Sequence, residues 1–440
     1  VYKLGFVELY KLRSGFNMNN KKILTVFIIL IVFISILTVI FIKKEKTKLK
    51  ELTTEEKLED FRYMYNILKE NYPHFYEVKK MYKLDWLAAK EYYEKKIEET
   101  ENNVEFFFQL NSILNLLNDH HAEVIPPDFY YSVFHLYRDM KEEDGQEYKA
   151  YKPWIDILLS AEGKYRDWYE IFREEYPDFY ENEAEGTPKH KDVNNVVTKI
   201  IEDKKIAYFK IKSFFVDSTG EIMKFLKDVK DYPYLIIDIR DNSGGNTAYW
   251  EKIISSLLNE PITIKRYCLI RGGEYSMENY YSKLESDDLI IDDIKNYPYY
   301  DDLPNEIKND FKYYILEKRQ FSNEDSIGFK GQILLLVNEY TFSPADNLVN
   351  VRKQIDTVTV VGCKTAGGGI GFTPLYVKLP NSGLIVRFEG EIGLNKDGTS
   401  NFMGINPDIE IKKIPGGDYE QKVIKETINL IYSMEKIKGQ

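Results

Sequence analysis

Apolar residues fall into distinct regimes along this chain. Residues 23–42, reading ILTVFIILIVFISILTVIFI, are continuously apolar and uncharged. From Glu56 to about Leu117 apolar positions recur every three or four residues, as in Phe61, Met64, Tyr65 and Leu68 and again over 106–117. That is the spacing of helices that bury one face. Between about 128 and 194 a Tyr- and Glu-rich stretch carries only scattered helix signals and no repeat. From Asn194 short apolar runs alternate with a helical period. Residues 206–211, 235–239, 333–337, 357–361 and 384–388 read as strands. Residues 246–259 read as a helix with Trp250, Ile253, Ile254, Leu257 and Leu258 on one face. The alternation predicts an α/β core with much parallel pairing, interrupted by an acidic, Tyr-rich insertion at 268–330.

As a helix, the apolar run 23–42 spans about 30 Å, one bilayer core. It is longer than a signal-peptide core, and neither a small-residue cleavage site nor a cysteine follows it. An uncleaved single-span anchor is therefore expected, with the domain that follows it outside the cytoplasm. The predicted organisation is an extension over 1–22, in which Met18 is a candidate start, the membrane span at 23–42 and a charged linker at 43–56. A helical region at 57–194 and an α/β core at 195–430 follow. Charge does not orient the span: Lys21 and Lys22 precede it, and Lys43, Lys44, Lys46, Lys48 and Lys50 follow it.

Composition narrows the chemistry. The 440 residues are 43% hydrophobic and 30% charged, as in a globular protein, and the net charge of −11 disfavours nucleic acid as a partner. Two cysteines and five histidines show no metal-ligand spacing, so neither a metal nor a cofactor is expected. The 35 tyrosines read as compositional bias and surface packing rather than as sugar-binding platforms.

Three segments carry candidate chemistry. In TFSPAD, Ser343 at a cap, Pro344 at the first helical position and Asp346 three residues on make a helix start. A serine on a strand-to-helix turn can equally expose its hydroxyl for acyl transfer. In DIRDNSGGN, Gly244 and Gly245 precede a helix; their N–H groups could face a developing anion or serve only a turn. In LLNDHHAEV, His121 and its neighbour His120 are by themselves ordinary structural or solvated histidines.

Taken in order, with GINPDIEI at 404–411, these segments resemble the tail-specific, or C-terminal processing, serine peptidases, closest to their tricorn-like, histidine-using branch. The matching elements are Asp119–His121, Arg240–Gly245, Ser343–Asp346, Gly362–Gly367 and Gly404–Asp408. The resemblance covers roughly 105–125 and 195–412. It implies a ClpP/crotonase-like α/β core preceded by a helical region. It makes Ser343 the nucleophile and His121 its general base, with His120 as a neighbouring alternative. Gly244 or Gly245 would donate to the oxyanion. The implied substrate is a peptide or protein.

Departures from the pattern refine the expectation. Where a Ser-Lys enzyme has lysine after Thr-x-Gly, this chain has Gly368, and Lys364 lies four residues earlier. A glutamate usually precedes the Gly-Ile-x-Pro-Asp element; here the stretch is SNFMG, leaving Asn401 as a candidate orienting group, or Glu389 or Glu391 upstream. Pro344 has no N–H to offer an oxyanion, so Ala345 is the next candidate donor. Residues 128–194 lack the carboxylate-binding loop of a PDZ domain. The alternatives are a catalytically weakened relative acting as a membrane-tethered binding module, and a serine esterase.

Overall fold

The computed structural model describes residues 49–138, 146–177, 195–284, 286, 288–352, 355–369, 371, 372, 374–394, 400, 402–412 and 418–438. The apolar run 23–42, its flanks and Asn401 lie outside them. Among the described residues no helix is long and apolar enough to cross a membrane. Every element named below belongs to the unit Glu51–Gln440.

The N-terminal periodicity folds as helices α1 (Thr54–Asn71), α2 (Phe75–Tyr82), α3 (Lys90–Glu98) and α4 (Asn103–Asn115). A capping box starts α1: the Glu56 N–H donates to the Thr53 hydroxyl at 3.2 Å, and the Thr53 N–H donates to the Glu56 carboxylate at 2.8 Å. The stripe Phe61, Met64 and Leu68 is buried. After the two-residue strand β1 (Glu123–Val124) come α5 (Pro127–Arg138) and α6 (Gln146–Glu175), so the stretch with weak signals is largely a helix pair. Its tyrosines correct the surface-packing expectation. Tyr130 and Tyr165 stack at 4.2 Å inside the protein. Their hydroxyls donate to the carbonyls of Leu158 at 2.6 Å and Ile125 at 3.0 Å. Each ring fills core volume while backbone groups satisfy its polar atom, and the Tyr165 oxygen also accepts the Ile385 N–H at 2.9 Å.

The α/β part runs β2 (Val196–Glu202), β3 (Ile206–Ile211), α7 (Thr219–Asp228), β4 (Tyr234–Asp238), α8 (Thr247–Leu257), β5 (Ile262–Ile270), β6 (Leu289–Asp293), β7 (Tyr313–Phe321), β8 (Gln332–Val337) and α9 (Pro344–Val351). It closes with β9 (Val358–Gly362), β10 (Leu375–Lys378), β11 (Ile385–Phe388), β12 (Glu391–Leu394), β13 (Ile409–Glu410) and α10 (Tyr419–Lys438). Six strands form one sheet in the order β13-β9-β8-β4-β3-β2, parallel except for the β2–β3 hairpin. Helices cover both faces. Leu235, Ile237, Leu335, Val337 and Val360 pack with Trp250, Ile253 and Leu348. Ile236, Leu334, Leu336 and Val361 pack with Val423 and Ile431 of α10. Burial on both faces is why these strands read as unbroken apolar runs.

Two expectations change. The region expected as an insertion contributes to a separate antiparallel sheet, β12-β5-β7-β6. The strand expected at 384–388 is β11, which leaves the parallel core because it pairs antiparallel with both β10 and β1.

That third sheet has a consequence for chemistry. Glu123 lies opposite Arg387 and Val124 opposite Val386. The same antiparallel register, carried two residues further, sets His121 opposite Glu389. Meanwhile β4, β8 and β9 end side by side, so the turns that follow them meet outside their carboxyl ends, where open α/β sheets form their clefts.

Candidate active site

The turn from β8 into α9 holds Ser343 at φ 56°, ψ −127°. This is a strained backbone for a non-glycine residue, of the kind that lifts a nucleophile out of a sharp strand-to-helix turn. Ser343 stands at the cap position, and its carbonyl accepts the Asn347 N–H at 2.9 Å. Its side chain makes no capping bond. Neighbouring turns hold it in place. The Ser343 N–H donates to the Gly367 carbonyl at 3.0 Å, the Phe342 N–H to the Asn242 carbonyl at 3.1 Å, and the Thr341 hydroxyl to the Ile239 carbonyl at 3.1 Å. A Cβ on Gly244 would sit 2.6 Å from Pro344 Cδ and 3.0 Å from Ser343 Cβ, so only glycine admits this packing.

The hydroxyl turns to His121. Ser343 Oγ lies 3.0 Å from His121 Nε2, and His121 Nδ1 lies 2.8 Å from Glu389 Oε1. Glu389 Oε2 in turn lies 2.7 Å from His74 Nε2. An ionised carboxylate only accepts, so Nδ1 of His121 carries a proton toward Glu389 and Nε2 presents its lone pair to the serine hydroxyl. The His121 ring also rests against Phe342, with centroids 4.4 Å apart. The His121 backbone N–H donates to Asp119 Oδ1 at 2.8 Å, so the Asp-x-His spacing closes a local turn.

Burial would raise the Glu389 carboxyl, but hydrogen bonds from His121 and His74 overcome it and hold the group well below the usual carboxylate range. His74 shows the complement. Burial would lower it, yet the Glu389 hydrogen bond and charge raise it above the ordinary imidazole value. Asp119 is pushed up, first by burial and then by the Glu389 charge.

Other expected site residues are placed differently. His120 is exposed and turns its ring edge-on to Phe342, with centroids 5.4 Å apart. Glu391 does not orient His121; it accepts from the Tyr281 hydroxyl and the Phe372 N–H, and burial pushes it up to about 7. Lys364 is exposed. Asn401 lies outside the described residues. Two of the three expected anion donors are already engaged. The Gly244 N–H donates to Asn242 Oδ1 at 2.9 Å, and the Ala345 N–H folds back to the Phe342 carbonyl at 3.1 Å as the helix begins. Gly245 differs. Phe214 bonds to its two neighbours, donating to the Gly244 carbonyl and accepting from Asn246, each at 2.8 Å. A parallel bridge of this kind directs the N–H of Gly245 itself to the opposite side, and Gly245 lines the cleft.

The cleft has a volume of about 890 Å³ and is bordered by His121, Gly245, Ser343, Asn347, Gly368 and Phe372, among others. Asp119, His121 and Glu389 each offer a ligand atom, all within 4.8 Å of one another. However, both ring nitrogens of His121 already face hydrogen-bond partners, an arrangement suited to proton transfer rather than to holding a cation. The remaining elements brace the turn. Thr365 donates its hydroxyl to Asp346 and accepts the Ile405 N–H at 2.7 Å, which ties the glycine loop and the 404–408 element to the start of α9. The residue missed in the sequence is His74. It stands in an ordinary helix approach, 315 positions from its partner, and no local signal marks it.

Comparisons with known proteins bear on the family and the fold. Residues 205–411 match the model of peptidase family S41. No curated protein sequence matches the chain. A candidate peptidase from Parabacteroides merdae is similar in fold, with a TM-score of 0.53 and 22% identity over 85% of this chain and 96% of that one. Mature CPAF complexed with lactacystin is also similar, with a TM-score of 0.51 and 14% identity over 86% of this chain and 97% of that one.

The Glu389–His74 pair makes stability depend on pH. Glu389 has a lowered folded value, so its contribution is present above its ordinary 4.5 and is lost as pH falls through the folded value. His74 has a raised value, so its contribution is present below 6.5 and is lost as pH rises through the raised value. Urea unfolding should therefore show the wild-type advantage over Glu389→Gln narrowing steadily below pH 4.5. A gap that stays constant down to about pH 3 would contradict the lowered carboxyl.

Proposed function

The chain belongs to the tail-specific peptidase family S41, a family of serine peptidases, and from that premise we propose that it is a membrane-anchored enzyme cleaving peptide bonds through an acyl-Ser343 intermediate. His121 is its general base, and Glu389 orients the imidazole. One observation carries this reading: the hydrogen-bonded line from Ser343 through His121 to Glu389, opening on a cleft.

The steps follow from the atoms present. His121 Nε2 takes the hydroxyl proton as Oγ attacks the peptide carbonyl carbon. The resulting imidazolium is stabilised by the Glu389 carboxylate on its other nitrogen. His121 then passes the proton to the departing amine, leaving an ester on Ser343. Water, deprotonated by the same nitrogen, hydrolyses that ester. The Gly245 N–H is the donor best disposed toward the oxyanion.

A fluorophosphonate probe should label Ser343 in the wild type, with labelling abolished in Ser343→Ala. His121→Gln should lower peptide hydrolysis on the order of 10⁴-fold. Absence of labelling in folded wild type would sink the peptidase reading and leave a tethered binding module. Ester turnover without peptide turnover would favour an esterase.

Pro344 sits where a second donor would be expected, and its ring packs on Gly244. Restoring an N–H there should strengthen the anion site, since one such donor is worth about 3 kcal/mol where it is well aimed. Pro344→Ala is therefore expected to raise kcat by roughly tenfold or more. An unchanged or lower kcat at equal stability would show that the proline costs nothing in the transition state.

The apolar run 23–42 supports a single-pass anchor, and the proposal assigns the peptidase unit to the extracytoplasmic side. The full-length chain should sediment with membranes and resist release by high salt and carbonate, and removal of residues 1–50 should free it. Full-length protein recovered in the soluble fraction would rule out the anchor.

A further inference from the structure

We propose that His74 is a positioning residue for this reaction: it donates its Nε2–H to the second oxygen of Glu389 and thereby fixes the carboxylate that orients His121. The proposal rests on the peptidase reading above.

Geometry carries it. His74 Nε2 and Glu389 Oε2 are 2.7 Å apart, and the other oxygen of the same carboxylate holds His121 at 2.8 Å. A carboxylate with one donor can rotate and strand a buried oxygen. Two donors on separate oxygens fix both its plane and its position. His74 is itself held rigidly. It is 2% exposed, stacks on Phe402 at 4.1 Å and 21°, and meets the edge of Tyr72 at 5.7 Å. It does not border the cleft, so it acts only through Glu389. The ionisable groups around it are Glu389, Glu77 at 3.9 Å from Nδ1, Asp119 and Tyr72. The carboxylates among them favour its charged form.

Two substitutions separate positioning from packing. His74→Phe keeps a ring on Phe402 but removes the donor. His74→Gln keeps an amide N–H near the Nε2 position. With His74→Phe the second-order rate of fluorophosphonate labelling should fall roughly 10- to 100-fold, kcat on a peptide should fall with it, and KM should hold. His74→Gln should recover most of the rate.

Labelling and peptide hydrolysis at wild-type rates in His74→Phe would overturn the proposal. So would a change in KM or Tm alone, or a His74→Gln variant no better than His74→Phe. Should His74→Phe not fold, nitrogen NMR of the His121 ring in His74→Ala, which lacks the donor, decides, since unmoved resonances would overturn the proposal equally. Unlabelled wild type would instead bring down the peptidase reading on which this rests.

Discussion

A single carboxylate, Glu389, is buried between two imidazoles, and its charge has to be met from both sides. Leaving such an ion unpaired in the interior costs far more than any one contact returns. One partner, His121, precedes β1, and the other, His74, opens α2. The helical region and the small β1-β11-β10 sheet must therefore dock together before the charge is compensated. Docking also completes the site, because the β1–β11 register that aligns Glu123 with Arg387 brings His121 to Glu389.

The nucleophile turn is a second convergence. A left-handed Ser343 is unfavourable by itself, and bonds from three directions hold it: Asn242 behind, Gly367 beside and the first turn of α9 ahead. Much of what the five motifs share is this bracing. Asn242 and Gly244 shape one wall, and Thr365 ties Asp346 to the 404–408 element. Helix start and exposed nucleophile are compatible here because the backbone carbonyl of Ser343 serves the helix while its hydroxyl faces His121. Pro344 fits the same geometry as a first helical residue, while withholding an N–H at the point where an anion would develop.

Legibility followed sequence separation. Helix α1, with its capping box and apolar stripe, and the parallel strands, buried on both faces, are written in local periodicity. The aromatic helices α5 and α6 were weakly marked, because their tyrosines combine an apolar ring with a hydroxyl whose partner is supplied only by the fold. Strand β11 was visible as a strand, but its sheet was not. Of its two partners, β10 is adjacent in sequence but β1 lies more than about 260 residues away, and a short apolar run does not say which edge it joins.

The sequence by itself determined the alternation of strands and helices, the membrane-length apolar run, and the ordered motifs that single out Ser343 and His121. Each depends on near neighbours or on residue type. Tertiary structure alone decided that Glu389 rather than Glu391 contacts the histidine, that Gly244 and Ala345 are occupied donors, and that His74 belongs to the site at all. Those outcomes depend on register and on which polar atom is already bonded. A chain settles such matters only when distant segments are brought within hydrogen-bonding distance and burial requires every charge to find a partner.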